Sequence, residues 1–265
     1  MSRLLAELSG PATARVLNPD SVLVVPTGAM EHHGPHLPLI TDALIAESVA
    51  TAAVAEAAAA GLDVWQLPTL TYTKSYEHSW ASGTMWVSYE TLMSTLVDIG
   101  RSVATTPARR LVFINGHGGN TALLGVALRE IRRRFGLLTF SMPSGVQIAG
   151  AGGENEPDEH GLGIHAGYGE TSLVMHLRPD LVDMSVARRN VPEHIAAMNH
   201  LGFNGTTAQF GWLSNDFGPD GVIGDPTGAD AQAGKVLFEA SVARAVDVLT
   251  EIATFTHTAP ASETP

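Results

Sequence analysis

The chain has no cysteine in 265 residues. Disulfide and thiolate chemistry are therefore excluded, and any metal site has to be built from imidazole and carboxylate. Charge is also scarce. Charged residues make up 16% of the sequence, with 15 Lys and Arg against 27 Asp and Glu, for a formal net charge of −12. The single basic cluster, "REIRRRFG" at Arg129 to Gly136, reads as one helix face closed by a C-terminal glycine. No nucleic-acid partner is expected from this balance. No run approaches the roughly 20 apolar residues needed to cross a bilayer. The opening "MSRLLAELSGPATARV" also lacks the apolar core of a secretion signal. The expectation is a cytoplasmic protein with no membrane partner.

What the sequence does hold is apolar bulk, at 45% hydrophobic residues. This length and composition suit one large α/β domain, expected over 1–257, with a frayed, disordered tail at 258–265. The low charge hints at further burial in a homo-oligomer. Short apolar runs that end in polar, Gly-rich turns alternate with longer helical stretches, as in a sheet with crossover helices. The strand candidates are 21–26, 63–68, 110–115 and 137–142, and the helix candidates are 42–60, 88–104, 120–135, 170–177 and 229–255. The run "RLVFIN" at 110–115 is apolar without alternation, as in a central strand covered on both faces. The reading is a three-layer α/β/α fold with a mostly parallel central sheet, in which ligands gather at the carboxyl ends of the strands.

Four turns at such ends hold the unusual residues: 27–42, 69–84, 115–120 and 143–170. The first, "TGAMEHHGPHLPLITD", carries Glu31, His32, His33, His36 and Asp42. Glu31 and His33 are two apart and would leave the same face of an extended segment. Asp42 fits a helix N-cap as well as a ligand, and His32 and His36 fit a surface histidine and a loop hydrogen-bonder. In the second, "FINGHGGNTALL", His117 lies directly past the most strand-like run, among glycines that let the backbone come close to a ligand. Asn120 as the cap of a tight turn explains that stretch equally. The third, "GLGIHAGYGETSLVMHL", offers His165 and Glu170, although Glu170 in a first helical turn is also favoured by the helix dipole. His176 reads as a packed histidine within an apolar helix. The stretch "TYTKSYEHSW" adds His78 and Trp80, which can line a pocket or a subunit interface. Together Glu31, His33, Asp42, His117 and Glu170 fit two divalent metals sharing a bridging carboxylate, and Zn, Mn and Fe suit such mixed donors.

These blocks resemble the creatininase, or creatinine amidohydrolase, family. "VVPTGAMEHHGPHLPLITD" is similar to that family's "P-x-G-S-x-E-Q-H-G-P-H-L-P-x-x-T-D" signature, with His32 where Gln is usual, and "NGHGGN", "HAGYGETS" and "GVIGDP" follow in the family's order. The resemblance implies an α/β/α amidohydrolase with two divalent metal ions per subunit, assembled as a homohexamer, a trimer of dimers. By position it makes Glu31, His33, Asp42 and His117 metal ligands with Asp42 as the bridge, Glu170 the remaining ligand, and His165 a proton-transfer group beside the metals. His165 and Glu170 are thus the catalytic candidates, and His78, Trp80, Gly118 and Gly119 the substrate-binding ones. Creatininase carries an aromatic and a glutamate where this chain has Gly118 and Gly119, and a glutamate where it has Ile164. The tryptophans that close on creatinine have no counterpart in "AGGENEPDEHGLGI".

The expected reaction is hydrolysis of a C–N amide bond in a small, cyclic amide of the lactam, hydantoin or cyclic urea type, by a metal-bridging hydroxide. His165 is expected to protonate the leaving nitrogen. One alternative is a mycofactocin-maturation-type peptidase that removes a C-terminal dipeptide. A second is a non-catalytic, metal-binding oligomeric scaffold.

Overall fold

The apolar runs form four strands, β1 (Val22–Thr27), β2 (Val64–Gln66), β3 (Arg110–Asn115) and β4 (Leu138–Pro143). In the computed structural model, which describes residues 2–146, 150, 153, 156–203 and 205–257, all four pair parallel in the order β2-β1-β3-β4. The tail expected at 258–265 lies outside the described residues. Thr27 stands opposite Asn115, and Asn115 opposite Pro143, so three strands end level at their carboxyl ends. Loops leaving that edge start from one line.

The helices are α1 (Gly10–Val16), α2 (Thr41–Ala59), α3 (Tyr89–Ala104), α4 (Thr121–Phe135), α5 (Tyr168–Leu177), α6 (Glu193–Ala196) and α7 (Ala231–Thr254). Alternate strand residues face opposite layers. Val22, Val24, Val112 and Ile114 pack with α2, α5 and α7, while Leu23, Val25, Leu111 and Phe113 pack with α3 and α4. Burial on both faces is why β1 and β3 show no polar alternation. The fold is three-layer α/β/α.

Helix ends follow local chemistry. Asp230 accepts from the Gln232 and Ala233 amides at the start of α7, and Gly136, at φ 69°, closes α4 in the left-handed conformation expected of the glycine after "REIRRRF". The sequence reading did not anticipate α1, α6 or the two-residue strands β5 (Leu201–Gly202) and β6 (Ala208–Gln209). These sit at the periphery, where Ile195 of α6 and Phe203, the residue after β5, join Ile223 in a small separate core. Among the described residues no helix is long and apolar enough to cross a membrane.

Candidate metal centre

The site gathers at the level carboxyl edge of the sheet. Glu31 and His33 come from the loop after β1, Asp42 from the first turn of α2, Ser75, Glu77 and His78 from the loop after β2, and His117 from the turn after β3. His165 and Glu170 flank the start of α5. Two glycines let the layers close on one another. A Cβ on Gly28 would lie 2.4 Å from the backbone of Ala43, and one on Gly116 would lie 2.5 Å from the Asp42 carbonyl oxygen. Asp42 is thereby drawn down between the ends of β1 and β3.

The hydrogen bonds around the three central imidazoles decide which nitrogen is bare. His33 Nδ1 lies 3.1 Å from the Glu31 carbonyl oxygen, His117 Nε2 2.9 Å from that of Lys74, and His165 Nε2 2.8 Å from that of His32. A carbonyl can only accept, so each of these nitrogens carries a proton, and in the neutral ring the other nitrogen presents a lone pair. Those lone pairs face carboxylates. His33 Nε2 is 3.1 Å from Asp42 Oδ1 and 3.9 Å from Glu170 Oε2, and His117 Nδ1 is 3.0 Å from Asp42 Oδ2 and 3.3 Å from Glu31 Oε2. His165 Nδ1 is 3.7 Å from Glu31 Oε1. Lone pair against carboxylate repels unless a positive charge lies between them. Asp42 Oδ2 is buried and makes no hydrogen bond despite its close nitrogen neighbour, as expected of two donors aimed at a common point rather than at each other.

Among the described residues, three groups of donors are close enough to hold an ion: Glu31–Asp42–His117, His33–Asp42–Glu170 and Glu31–His33–His165. Asp42 belongs to the first two with one oxygen turned to each. The donors are oxygen and imidazole nitrogen with no sulfur, which suits Zn²⁺, Mn²⁺ or Fe²⁺.

Without a cation the cluster draws in protons instead. Burial works to lower the His33 pKa, but Asp42 together with Glu170 and Glu31 outweighs it and raises the value to about 10. For His117 burial likewise works downward and is overcome by Glu31 and Asp42, so its pKa lies well above 6.5. Asp42 moves the opposite way, burial being outweighed by His33 and His117, which hold it well below the usual carboxylate range. Burial raises Glu170 to about 7 against the pull of His33. Burial lowers His165 well below its ordinary value, and His33 and His78 add to the shift. His165 is thus neutral at pH 7.

Two helix-cap readings fail. The residue before α2 is Ile40, so Asp42 sits inside the first turn and is turned to the site. Asn120 precedes α4 but makes no capping bond; its Nδ2 instead donates to the Gly28 carbonyl oxygen at 3.1 Å. His78 stacks on His165 with ring centroids 4.0 Å apart, and burial lowers its pKa to about 4. Trp80 stands at the rim, its Nε1 donating to Ser214 Oγ at 2.8 Å. Gly118 is exposed with open space around it, whereas Gly119 is filled by neighbours. His32 is half-buried and pairs with the Asp220 carbonyl oxygen. His36 lies behind the site, 3.0 Å from Thr171 Oγ1, and half-buried His176 packs on Phe238.

Three residues escaped the sequence reading. Ser75 Oγ donates to Glu31 Oε2 at 2.6 Å. Glu77 stands behind His117, its Oε1 3.4 Å from Nε2. Glu159 Oε1 accepts from the Tyr168 and Asp225 amides, at 3.0 and 2.6 Å, and so ties the start of α5 to the "GVIGDP" segment. The only signal for all three was their place in a stretch that follows a strand, 69–84 for Ser75 and Glu77 and 143–170 for Glu159.

The sequence model of the creatininase family, Creatinine amidohydrolase, matches residues 6–249. The chain belongs to the creatininase family. Among curated relatives, the mycofactocin precursor peptide peptidase of Mycobacterium tuberculosis (strain CDC 1551 / Oshkosh) is 34% identical over 251 residues, 90% of this chain and 88% of that protein. The creatinine amidohydrolase of Pseudomonas putida is 35% identical over 186 residues, 64% of this chain and 70% of that protein. A solved manganese form of creatininase superposes with a TM-score of 0.76 at 26% identity, covering 96% of this chain and 100% of that one.

Proposed function

We propose that this chain is a metal-dependent hydrolase of C–N amide bonds that holds two divalent ions, one in the Glu31–Asp42–His117 group and one in the His33–Asp42–Glu170 group, with Asp42 shared. The observation that carries this reading is the pair of nitrogens free of carbonyl partners, His33 Nε2 and His117 Nδ1, each set against a different oxygen of Asp42. Zinc, manganese and iron fit the donors, and the manganese form of the solved creatininase supports that choice. When bound, the ions supply Lewis-acid polarisation of the scissile carbonyl and a water of lowered pKa.

The protein's own groups do the rest. The Ser75 hydroxyl, donating to Glu31 Oε2, fixes the rotamer of that carboxylate. His165 is neutral, with Nε2–H spent on the His32 carbonyl, so Nδ1 is the atom free to take a proton from the attacking water. The same burial that lowers its pKa makes the protonated ring a strong acid. It then gives the proton readily to the leaving nitrogen, which departs too slowly as an anion. A mere metal store needs no such group, and this argues against the non-catalytic scaffold.

Two substrates suit this chemistry: the small cyclic amide expected from the sequence, and the C-terminal end of a short peptide. The wider coverage of the peptidase relative, 90% of this chain against 64% for the creatinine amidohydrolase, favours the peptide end. A homo-oligomer of single-domain subunits, with the hexamer as its expected form, belongs to the same reading. Exposed Tyr72, Met85, Trp86 and Tyr89 give it apolar surface to cover. Metal-loaded protein is assayed against lactams, hydantoins, formamides and peptides ending in different dipeptides. Release of a C-terminal dipeptide is the expected result. Turnover of a cyclic amide alone would restore the first substrate, and turnover of none would remove the enzyme reading.

A further inference from the structure

Behind His117, on the side away from Asp42, the loop after β2 places a second carboxylate that the sequence did not single out. Glu77 has its side chain 11% exposed, with Oε1 3.4 Å from His117 Nε2 and Oε2 2.8 Å from Lys74 Nζ. The His117 Nε2–H therefore meets two acceptors from one short segment, the Lys74 carbonyl oxygen at 2.9 Å and the Glu77 carboxylate. Ser214 Oγ donates to the Glu77 carbonyl at 3.1 Å and itself accepts from Trp80, which pins the turn from outside.

Gly119 supplies the room. Its φ is not in the left-handed region, so conformation does not require glycine there. A Cβ at that position would fall 1.9 Å from Glu77 Oε1 and 2.4 Å from His117 Nε2. Any side chain at 119 would displace the carboxylate, the ring, or both. The carboxylate and the gap are thus two halves of one arrangement.

We propose that Glu77 is a positioning residue for His117: its negative charge behind Nε2 locks the ring orientation and makes Nδ1 a better metal ligand. A carboxylate behind a ligating histidine does this by partly withdrawing the far proton, and losing such a partner characteristically weakens metal binding by about 10–100-fold. Lys74 keeps the carboxylate from turning away but is not the source of the effect. The inference rests on the metal-site reading above.

The test is metal affinity, measured on metal-free protein titrated with zinc against a chromogenic chelator. Glu77→Gln keeps the shape and removes the charge. Its affinity should fall at least about tenfold, while the metal-free melting temperature stays within about 2 °C of wild type. Lys74→Met should keep its affinity within about threefold, since the carboxylate remains behind the ring. Unchanged affinity in Glu77→Gln would overturn the proposal. A loss in Lys74→Met as large as in Glu77→Gln, or a large fall in the metal-free melting temperature of Glu77→Gln, would also overturn it, because either would make Glu77 part of a structural ion pair. Wild-type protein that takes up no zinc would instead overturn the metal site itself.

Discussion

Stripping the metal should leave a protein whose stability falls as pH rises, and His33 sets the size of the fall. In the fully buried ring, burial pulls the pKa down, but Asp42 3.1 Å away, with Glu170 and Glu31 behind it, outweighs burial and raises the value to about 10. In the unfolded chain the value is about 6.5. The folded form therefore keeps a proton that the unfolded chain releases. A base with a raised pKa stabilises fully below its unfolded value, and that contribution is lost as pH climbs through the folded one. At about 1.4 kcal/mol per pH unit, moving from pH 7 to pH 9.5 removes about 3 kcal/mol, a large share of a total of about 5–15 kcal/mol. His117, also raised, acts in the same direction. Below pH 7 the effects oppose one another. His36 and His78, both lowered to about 4, lose stability as pH falls through 6.5, whereas Glu170, raised to about 7, gains it. The alkaline window is the clean one. Urea unfolding of chelator-treated protein at the two pH values measures the difference. Protein reloaded with manganese should show the reverse trend, because metal and protons compete for the same nitrogens. Equal unfolding midpoints at pH 7 and 9.5 in the chelated protein would refute the account of the His33–Asp42 pair.

Two further changes separate the roles within the site. His165→Gln should retain bound metal and lose about 10²–10⁴-fold in kcat, read by turnover together with metal analysis; loss of metal would make His165 a ligand instead. Glu159→Ala removes the acceptor of two backbone amides and should cost about 2–3 kcal/mol in urea unfolding, with metal content preserved.

The four strands were legible because β1 and β3 are covered on both faces and so read as unbroken apolar runs. The expected limits of β1, β3 and β4 fall within one residue of those observed, while β2 is shorter than the 63–68 expected. The short α6 and the β5–β6 ladder were not legible, since four- and two-residue elements carry no periodicity. In the site, Glu31, His33, Asp42, His117, His165 and Glu170 could be named because each sits in a distinctive Gly- or His-rich turn, and the structure brings all six to one place. What chain order hides is the far side of each of these side chains. The proton positions on His33, His117 and His165 depend on carbonyls of Glu31, Lys74 and His32, and backbone carbonyls leave no mark in sequence. Ser75, Glu77 and Glu159 act through contacts that only the folded loops create. Asp42 and Asn120 show the converse: residues well suited to capping are drawn elsewhere by what lies across the sheet edge.

Metal analysis of protein purified without chelator tests the central claim most directly. The account predicts about two equivalents of zinc, manganese or iron per chain, falling to less than about half of that in Asp42→Ala, where both donor groups lose their shared carboxylate. A folded, unchelated sample that carries no divalent metal would contradict it.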